Sequence, residues 1–179
     1  PLQIALGAGA SFIARAADTD AKLLGSILER AYAHKGSVLI EILQNCPVFN
    51  DGVWDAVKDD AANRQIVLSD GKPLTFAKGQ KGIRLGADLT PEVVDVGEGP
   101  GQVPESQLLV HREQGSAAYS YLLASMVYPS LPMPVGVLHR DAKAPYEQLA
   151  NAQVADAIKT QGRGNLQKLL LSGMTWEVQ

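Results

Sequence analysis

The order of apolar and polar positions along the chain switches between a helical and a strand-like period, and the switches mark the elements. Leu2–Ala10 is small and apolar, broken by Gly7 and Gly9, and predicts the end of a buried helix. Ser11–Arg15 (SFIAR) predicts a short buried strand. Leu23, Leu24, Ile27, Leu28, Ala31 and Tyr32 then recur at helical spacing, so one face of that segment is core-directed. Asp18 or Thr19 is the expected cap. The helix should stop near His34, where Lys35 suits the negative helix end and Gly36 suits a left-handed cap. Ser37–Leu43 (SVLIEIL) is almost continuously apolar, the pattern of a strand buried on both faces of a parallel sheet. Strand, helix and strand joined by short links make a βαβ unit, which predicts an α/β fold.

Beyond this unit the signals shorten. QNCPVFNDGVWDAV is rich in turn residues and predicts a short helix near Val53–Val57. IVLSDGKPLTF carries two short strand signals around Asp70-Gly71, and IRLGADLTPEVVDV repeats that pattern. Together they predict a β-hairpin module between Ile66 and Val96. Gly97–Pro104 (GEGPGQVP) reads as a loop, QLLVHRE as a returning strand and Ser116–Tyr128 as a helix. Pro129, Pro132 and Pro134 force an extended crossing. Helices around Tyr146–Thr160 and Asn165–Leu171 complete the chain. The expected division is residues 1–60 as α/β domain, 61–104 as hairpin module and loop, and 105–179 as a strand and helices packing on the domain.

Composition narrows the class of protein. With 179 residues, 46% of them hydrophobic and 20% charged, the chain has enough apolar sequence for one well-buried domain and is not a disordered composition. A formal net charge of -3 argues against binding nucleic acid by bulk electrostatics. No apolar run reaches the length of a membrane span, and no basic-then-apolar signal segment is present, so the expected location is the cytoplasm. The chain begins at Pro1, directly before the apolar LQIALGAGA, and reads as a piece of something longer. A parallel sheet interrupted in this way would expose surface, which predicts association with a partner or with itself.

Few residues offer chemistry. Gly7-Ala8-Gly9-Ala10 precedes a strand, where a dinucleotide loop would follow one and open a helix, so tight packing is the better reading. His34, His111 and His139 share no helix-face spacing and no serine elbow accompanies them; helix-end or surface roles are expected. Glu41 is unusual as a carboxylate within an apolar strand, and either a basic neighbour in a larger assembly or a wet sheet edge would account for it. Cys46, the single cysteine, excludes an intrachain disulfide and a self-contained multi-cysteine metal site. It lies just past the end of the second strand, where open α/β sheets place ligands, and Pro47 follows it as in many cluster-ligating Cys-Pro pairs. Lone cysteines are ordinarily small buried hydrophobes, so position alone leaves both roles open.

The wording of the segments adds a further indication. Gly9–Arg15, His34–Gly36, and Gln44, Cys46, Phe49 and Asn50, in that order, resemble the later half of the thiamine-diphosphate-binding β subunit of 2-oxoacid:ferredoxin oxidoreductases. FNDGVWDAV and the ending NLQKLLLSGMTWEV look most like the branch acting on 2-oxoglutarate, with pyruvate as the competing substrate. The resemblance implies the end of a parallel-sheet thiamine-diphosphate-binding fold, followed by a small β-hairpin module and a helical tail. It also implies a subunit with thiamine diphosphate, Mg²⁺ and one [4Fe-4S] cluster. That family oxidatively decarboxylates a 2-oxoacid, passes electrons singly through the cluster to ferredoxin and transfers the acyl group to coenzyme A. Cys46 matches the fourth cluster cysteine, and Asn50 is placed near the thiamine ring or the cluster.

The family's other three cysteines and its Gly-Asp-Gly-Asp…Asn run, which holds Mg²⁺ and diphosphate, have no counterpart in this sequence. The resemblance therefore implies partners: the N-terminal half of the β subunit, the α subunit and ferredoxin, with the isolated chain inactive and no catalytic side chain named. A non-catalytic binding or assembly domain that retains the fold is the alternative.

Overall fold

In a computed structural model that describes residues 1–176 and Val178, the first strand, β1 (Phe12–Ala17), has all six of its residues buried. Glu177, in the NLQKLLLSGMTWEV ending, lies outside the described residues. A short helix, α1 (Leu2–Gly7), precedes β1, and α2 (Ala21–Tyr32) follows it. Asp20, rather than Asp18 or Thr19, caps α2 by accepting from the Leu23 N–H at 3.0 Å. The helix ends at Tyr32 with Ala33 in a right-handed cap, and Gly36 takes its positive φ of 127° in the link beyond. The next strand, β2 (Val38–Leu43), runs parallel to β1 with Phe12 opposite Val38 and Ala17 opposite Leu43.

Two short helices, α3 (Asp55–Asp59) and α4 (Ala61–Arg64), lead into β3 (Gln65–Val67). The strands β4 (Thr75–Phe76), β5 (Lys81–Leu85) and β6 (Pro91–Asp95) form a separate antiparallel sheet in sequence order. Lys81–Asp95 and Arg84–Glu92 are register partners in it and ion pairs at 2.7 and 2.8 Å. After a further helix, α5 (Ala117–Ser125), capped by Ser116, the chain enters β7 (Met133–Arg140). The four-stranded sheet has the order β2-β1-β7-β3, with β7 antiparallel to β1 and β3 parallel to β7.

The fold is thus mixed α/β with a parallel pair, a small antiparallel sheet and terminal helices, in line with the expected class. Four details differ from the sequence reading. Met133–Arg140, expected as an extended crossing, is an interior strand with only Arg140 exposed. Its pairing with β1 lies more than 120 residues away in sequence, beyond the reach of local propensity. β2 lies at the sheet edge and exposes Val38 and Ile42; α2 is centred over β1 and β7, and of β2 only Ile40 joins the core beneath it. The strands flanking Asp70-Gly71 form but do not pair with each other: β3 joins the large sheet and β4 the small one. QLLVHRE runs extended without becoming a strand; Val110 bridges Pro73, and Leu109 N–H donates to Ile83 O.

The two sheet faces have different cores. Phe12, Ala14 and Ala16 meet Ile27 of α2 and Val137 of β7 on one side. Leu2, Ile13, Leu123, Met126 and Leu138 form the other side with Ile66, Leu74 and Ile83. A smaller cluster of Leu43, Val57 and Met133 with Trp54 packs at the end of β2. Pro1–Lys143 forms one unit; Ala144–Gln179 is a second. The second contains α6 (Tyr146–Gln161), ended by Gly162 at φ +80°, and α7 (Leu166–Leu170), where Asn165 Oδ1 accepts from the Lys168 N–H at 2.9 Å. Among the described residues no helix is long and apolar enough to cross a membrane.

Candidate functional site

The segment after β2 is shaped by backbone and amide hydrogen bonds. Leu43 is buried against Val57 and Met133, which anchors the strand end. Its carbonyl accepts from the Asp18 N–H at 3.1 Å, tying the exits of the two parallel strands together. From there the chain folds back on itself between Asn45 and Gly52. Asn45 Oδ1 accepts from the Gly52 N–H at 2.8 Å, while Asn45 Nδ2 donates to Asp51 Oδ1, also at 2.8 Å. Inside that clasp the Asn50 N–H donates to Cys46 O at 3.0 Å and the two residues form an isolated antiparallel bridge. Gly52 has φ +72°, and a Cβ there would lie 3.0 Å from Asp55 Oδ2, so glycine suits the closing position.

The structure therefore brings Cys46 and Asn50, the two candidates from sequence, into one turn. Cys46 is half-buried, and the Asn50 side chain is exposed. Val48 and Phe49 at the tip are 82% and 91% exposed, so an apolar rim stands beside the thiol. Sequence reasoning missed Asn45 and Gly52, the residues that close the turn. Their signal was an Asn whose side chain can bond the backbone ahead of it and a Gly able to take positive φ.

One thiol cannot hold an iron–sulfur cluster, which takes four thiolates. Among the described residues no group of three or more His, Cys, Asp or Glu side chains could hold a metal ion. The donor set of this chain does not fit a complete cluster. It offers a single thiol, that of Cys46, on an ordered turn.

The face of the sheet opposite α2 also carries Arg15 and Glu41, register partners across the parallel pair. Arg15 Nε donates to Glu41 Oε2 at 2.6 Å. The pair borders a cavity of about 150 Å³ with Leu2, Gln3, Trp54 and Met133. Glu41 sits on the edge strand, as one sequence explanation had it, while its basic partner is Arg15 of the same chain and not a neighbour in a larger assembly.

Two histidines depart from the helix-end or surface placement expected for them. His139 is buried because it belongs to the interior strand β7, and His111 because it packs against Tyr119 of α5 and Val137 of β7. His111 bonds Val137 O at 2.9 Å and the Tyr119 hydroxyl at 3.2 Å. His139 bonds Ser120 at 3.0 Å, and His34, at the end of α2, bonds Ser11 at 2.9 Å. Burial lowers the pKa of all three imidazoles below the ordinary value, with the positive field of Arg140 adding to the effect at His34. Burial also pushes the Tyr119 hydroxyl up to about 12. Ser11 and Ser120 are completely buried, so neither serine–histidine pair presents a nucleophile to a substrate.

Comparison with known proteins adds an independent line. No family model matches the sequence. The 2-oxoglutarate oxidoreductase subunit KorB of Mycobacterium tuberculosis is 32% identical over 183 residues, covering 99% of this chain and 48% of that protein. A 2-oxoacid:ferredoxin oxidoreductase subunit beta of Saccharolobus solfataricus is 41% identical over 51 residues, 28% of this chain and 17% of its own length. Among solved structures, the 2-oxoglutarate:ferredoxin oxidoreductase of Magnetococcus marinus, with 2-oxoglutarate, coenzyme A and succinyl-CoA bound, superimposes with a TM-score of 0.54 at 16% identity. That superposition covers 98% of this chain and 44% of the other, and it speaks to the fold alone. The chain spans about half the length of the curated relative it matches from end to end.

Proposed function

The chain is homologous to the C-terminal part of 2-oxoacid:ferredoxin oxidoreductase β subunits, and from that premise we propose that it works as part of such an enzyme on 2-oxoglutarate. The net reaction breaks the bond between the carboxylate and the ketone carbon and releases CO₂. The acyl group joins coenzyme A as a thioester, and two electrons leave singly for two ferredoxins. Thiamine diphosphate with Mg²⁺ supplies the electron sink for the decarboxylation, and a [4Fe-4S] cluster supplies the one-electron exit. In this reading Cys46 contributes one cluster thiolate, Asn50 lies close to the cofactors, and the remaining ligands come from outside these residues.

The observation that carries the proposal is the match to the KorB subunit along 99% of the chain. The turn geometry supports it: Asn45 and Gly52 hold Cys46 at the end of a parallel strand, beside an exposed apolar rim that suits burial against another part of an assembly. The test uses the assembled oxidoreductase. Cys46→Ser should lower iron content and abolish substrate-dependent reduction of a viologen dye, with 2-oxoglutarate the preferred substrate over pyruvate in the parent. Full iron and activity in Cys46→Ser would remove the ligand assignment. An assembly that takes up neither iron nor 2-oxoacid would leave a non-catalytic assembly domain as the function.

A further inference from the structure

At the opposite end of the large sheet from Cys46, the link between α2 and β2 meets the end of β7. Arg30 from the last turn of α2, His34 and Lys35 from the link and Arg140 from the end of β7 line a cavity of about 360 Å³. The two guanidinium groups are bracketed by one carboxylate. Arg30 Nη2 donates to Glu113 Oε2 at 2.5 Å, and Arg140 Nε lies 3.2 Å from the same oxygen. Glu113 is itself held: its N–H donates to Asp70 Oδ1 at 3.0 Å and its carbonyl accepts from the Arg140 N–H at 2.7 Å. Both arginine side chains remain nearly half exposed, and among the described residues no second carboxylate meets either of them.

The charge balance is local and positive. Arg30 and Arg140 share the Glu113 carboxylate, Lys35 lines the same cavity, and Asp70 bonds the Glu113 N–H behind it, so three cations against two carboxylates leave one positive charge in excess in a chain whose net charge is -3. Asp141, just past Arg140, is met by Lys143 at 3.9 Å, so that pair adds no net charge. An arginine bracket serving only to tie α2 to β7 would need neither Lys35 nor an open cavity. Fixed guanidinium forks around a small concave space match the charge and geometry of a tetrahedral dianion. We propose that this cavity binds a phosphate group, either free or as a phosphomonoester. The site does not depend on the oxidoreductase reading.

Calorimetric titration of the 179-residue chain at low ionic strength, with inorganic phosphate and separately with AMP, tests the proposal. Saturable one-to-one binding that weakens with added salt is expected. Lys35→Met and Arg140→Gln should each weaken it by about tenfold. Lys35 is exposed and forms no ion pair among the described residues, so its variant should keep the parent melting temperature. Lys22→Met, on an exposed position of α2 away from the cavity, should bind as the parent does. AMP binding more tightly than phosphate identifies a phosphomonoester site; equal affinities identify the free anion. Absence of saturable binding by either, or binding unchanged in Lys35→Met, would overturn the proposal.

Discussion

The Arg15–Glu41 pair gives a prediction whose sign depends on which partner is removed. Arg15 has 4% of its side chain exposed and Glu41 has 20%. Opposite charges at contact distance attract by about 4 kcal/mol at an effective dielectric near 20, but desolvating both groups cancels much of that gain. Removing either charge leaves the other unpaired, and the cost follows how well the survivor reaches water. In Glu41→Gln the guanidinium stays enclosed, so the expected loss is about 3–5 kcal/mol. In Arg15→Met the methionine fills the space and Glu41, on the edge strand, can turn toward solvent, so the loss should be nearer about 1–2 kcal/mol. The double variant Arg15→Met/Glu41→Leu should return to within about 1 kcal/mol of the parent, since an apolar pair of similar volume needs no compensation. Urea unfolding followed by circular dichroism measures all four proteins, with free energies from linear extrapolation. The reasoning fails if Arg15→Met costs as much as Glu41→Gln, or if the double variant is as unstable as Glu41→Gln.

Gly36→Ala places a methyl group on a residue with φ +127° and against the Ser11 hydroxyl that bonds His34, so thermal melting should show a loss of at least about 2 kcal/mol. Gly82→Ala drives a Cβ to within 2.5 Å of Leu108 Cδ1 and should be visibly destabilising in the same assay, whereas Gly79→Ala meets no atom there and suffers only from its backbone conformation. His111 has its pKa lowered by burial, so the unfolded chain binds the proton more readily. Stability should therefore be fully present above the ordinary histidine pKa and fall with acidification through the lowered folded value, by up to about 1.4 kcal/mol per pH unit for this group. His111→Gln should flatten that part of the urea-midpoint profile between pH 7 and 5; an unchanged slope would show that other groups govern it. Leu123→Ala, at a completely buried position of α5, should cost about 2–5 kcal/mol by denaturant unfolding without changing the fold.

The candidate site was partly legible. Cys46 could be placed because a strand signal ended three residues earlier, and a turn-rich stretch followed. That Asn45 clasps Gly52 and Asp51 was less visible, since the sequence offers several turn residues in a row and only the folded turn selects which amide bonds which backbone group. The histidines were misplaced for a related reason. Both His111 and His139 close apolar runs, LLV and VGVL, but their burial is fixed only when α5 and β7 pack on His111 and β7 becomes an interior strand.

The sequence by itself determined the elements whose signals are local. The βαβ start, the β5–β6 hairpin, the helix beginning at Ser116 and the final two helices follow from periodicity and turn signals within a short window of sequence. Tertiary structure alone decided which strands meet. Met133–Arg140 follows Pro129 and Pro132, contains Pro134 and gives a weak strand signal, yet it pairs with β1 on one side and β3 on the other and so becomes interior. The same choice leaves β2 at the edge and gives Glu41 both its arginine and its access to water. Strand pairing is a long-range contact whose energy comes from the partner's surface, so no local window of sequence contains it.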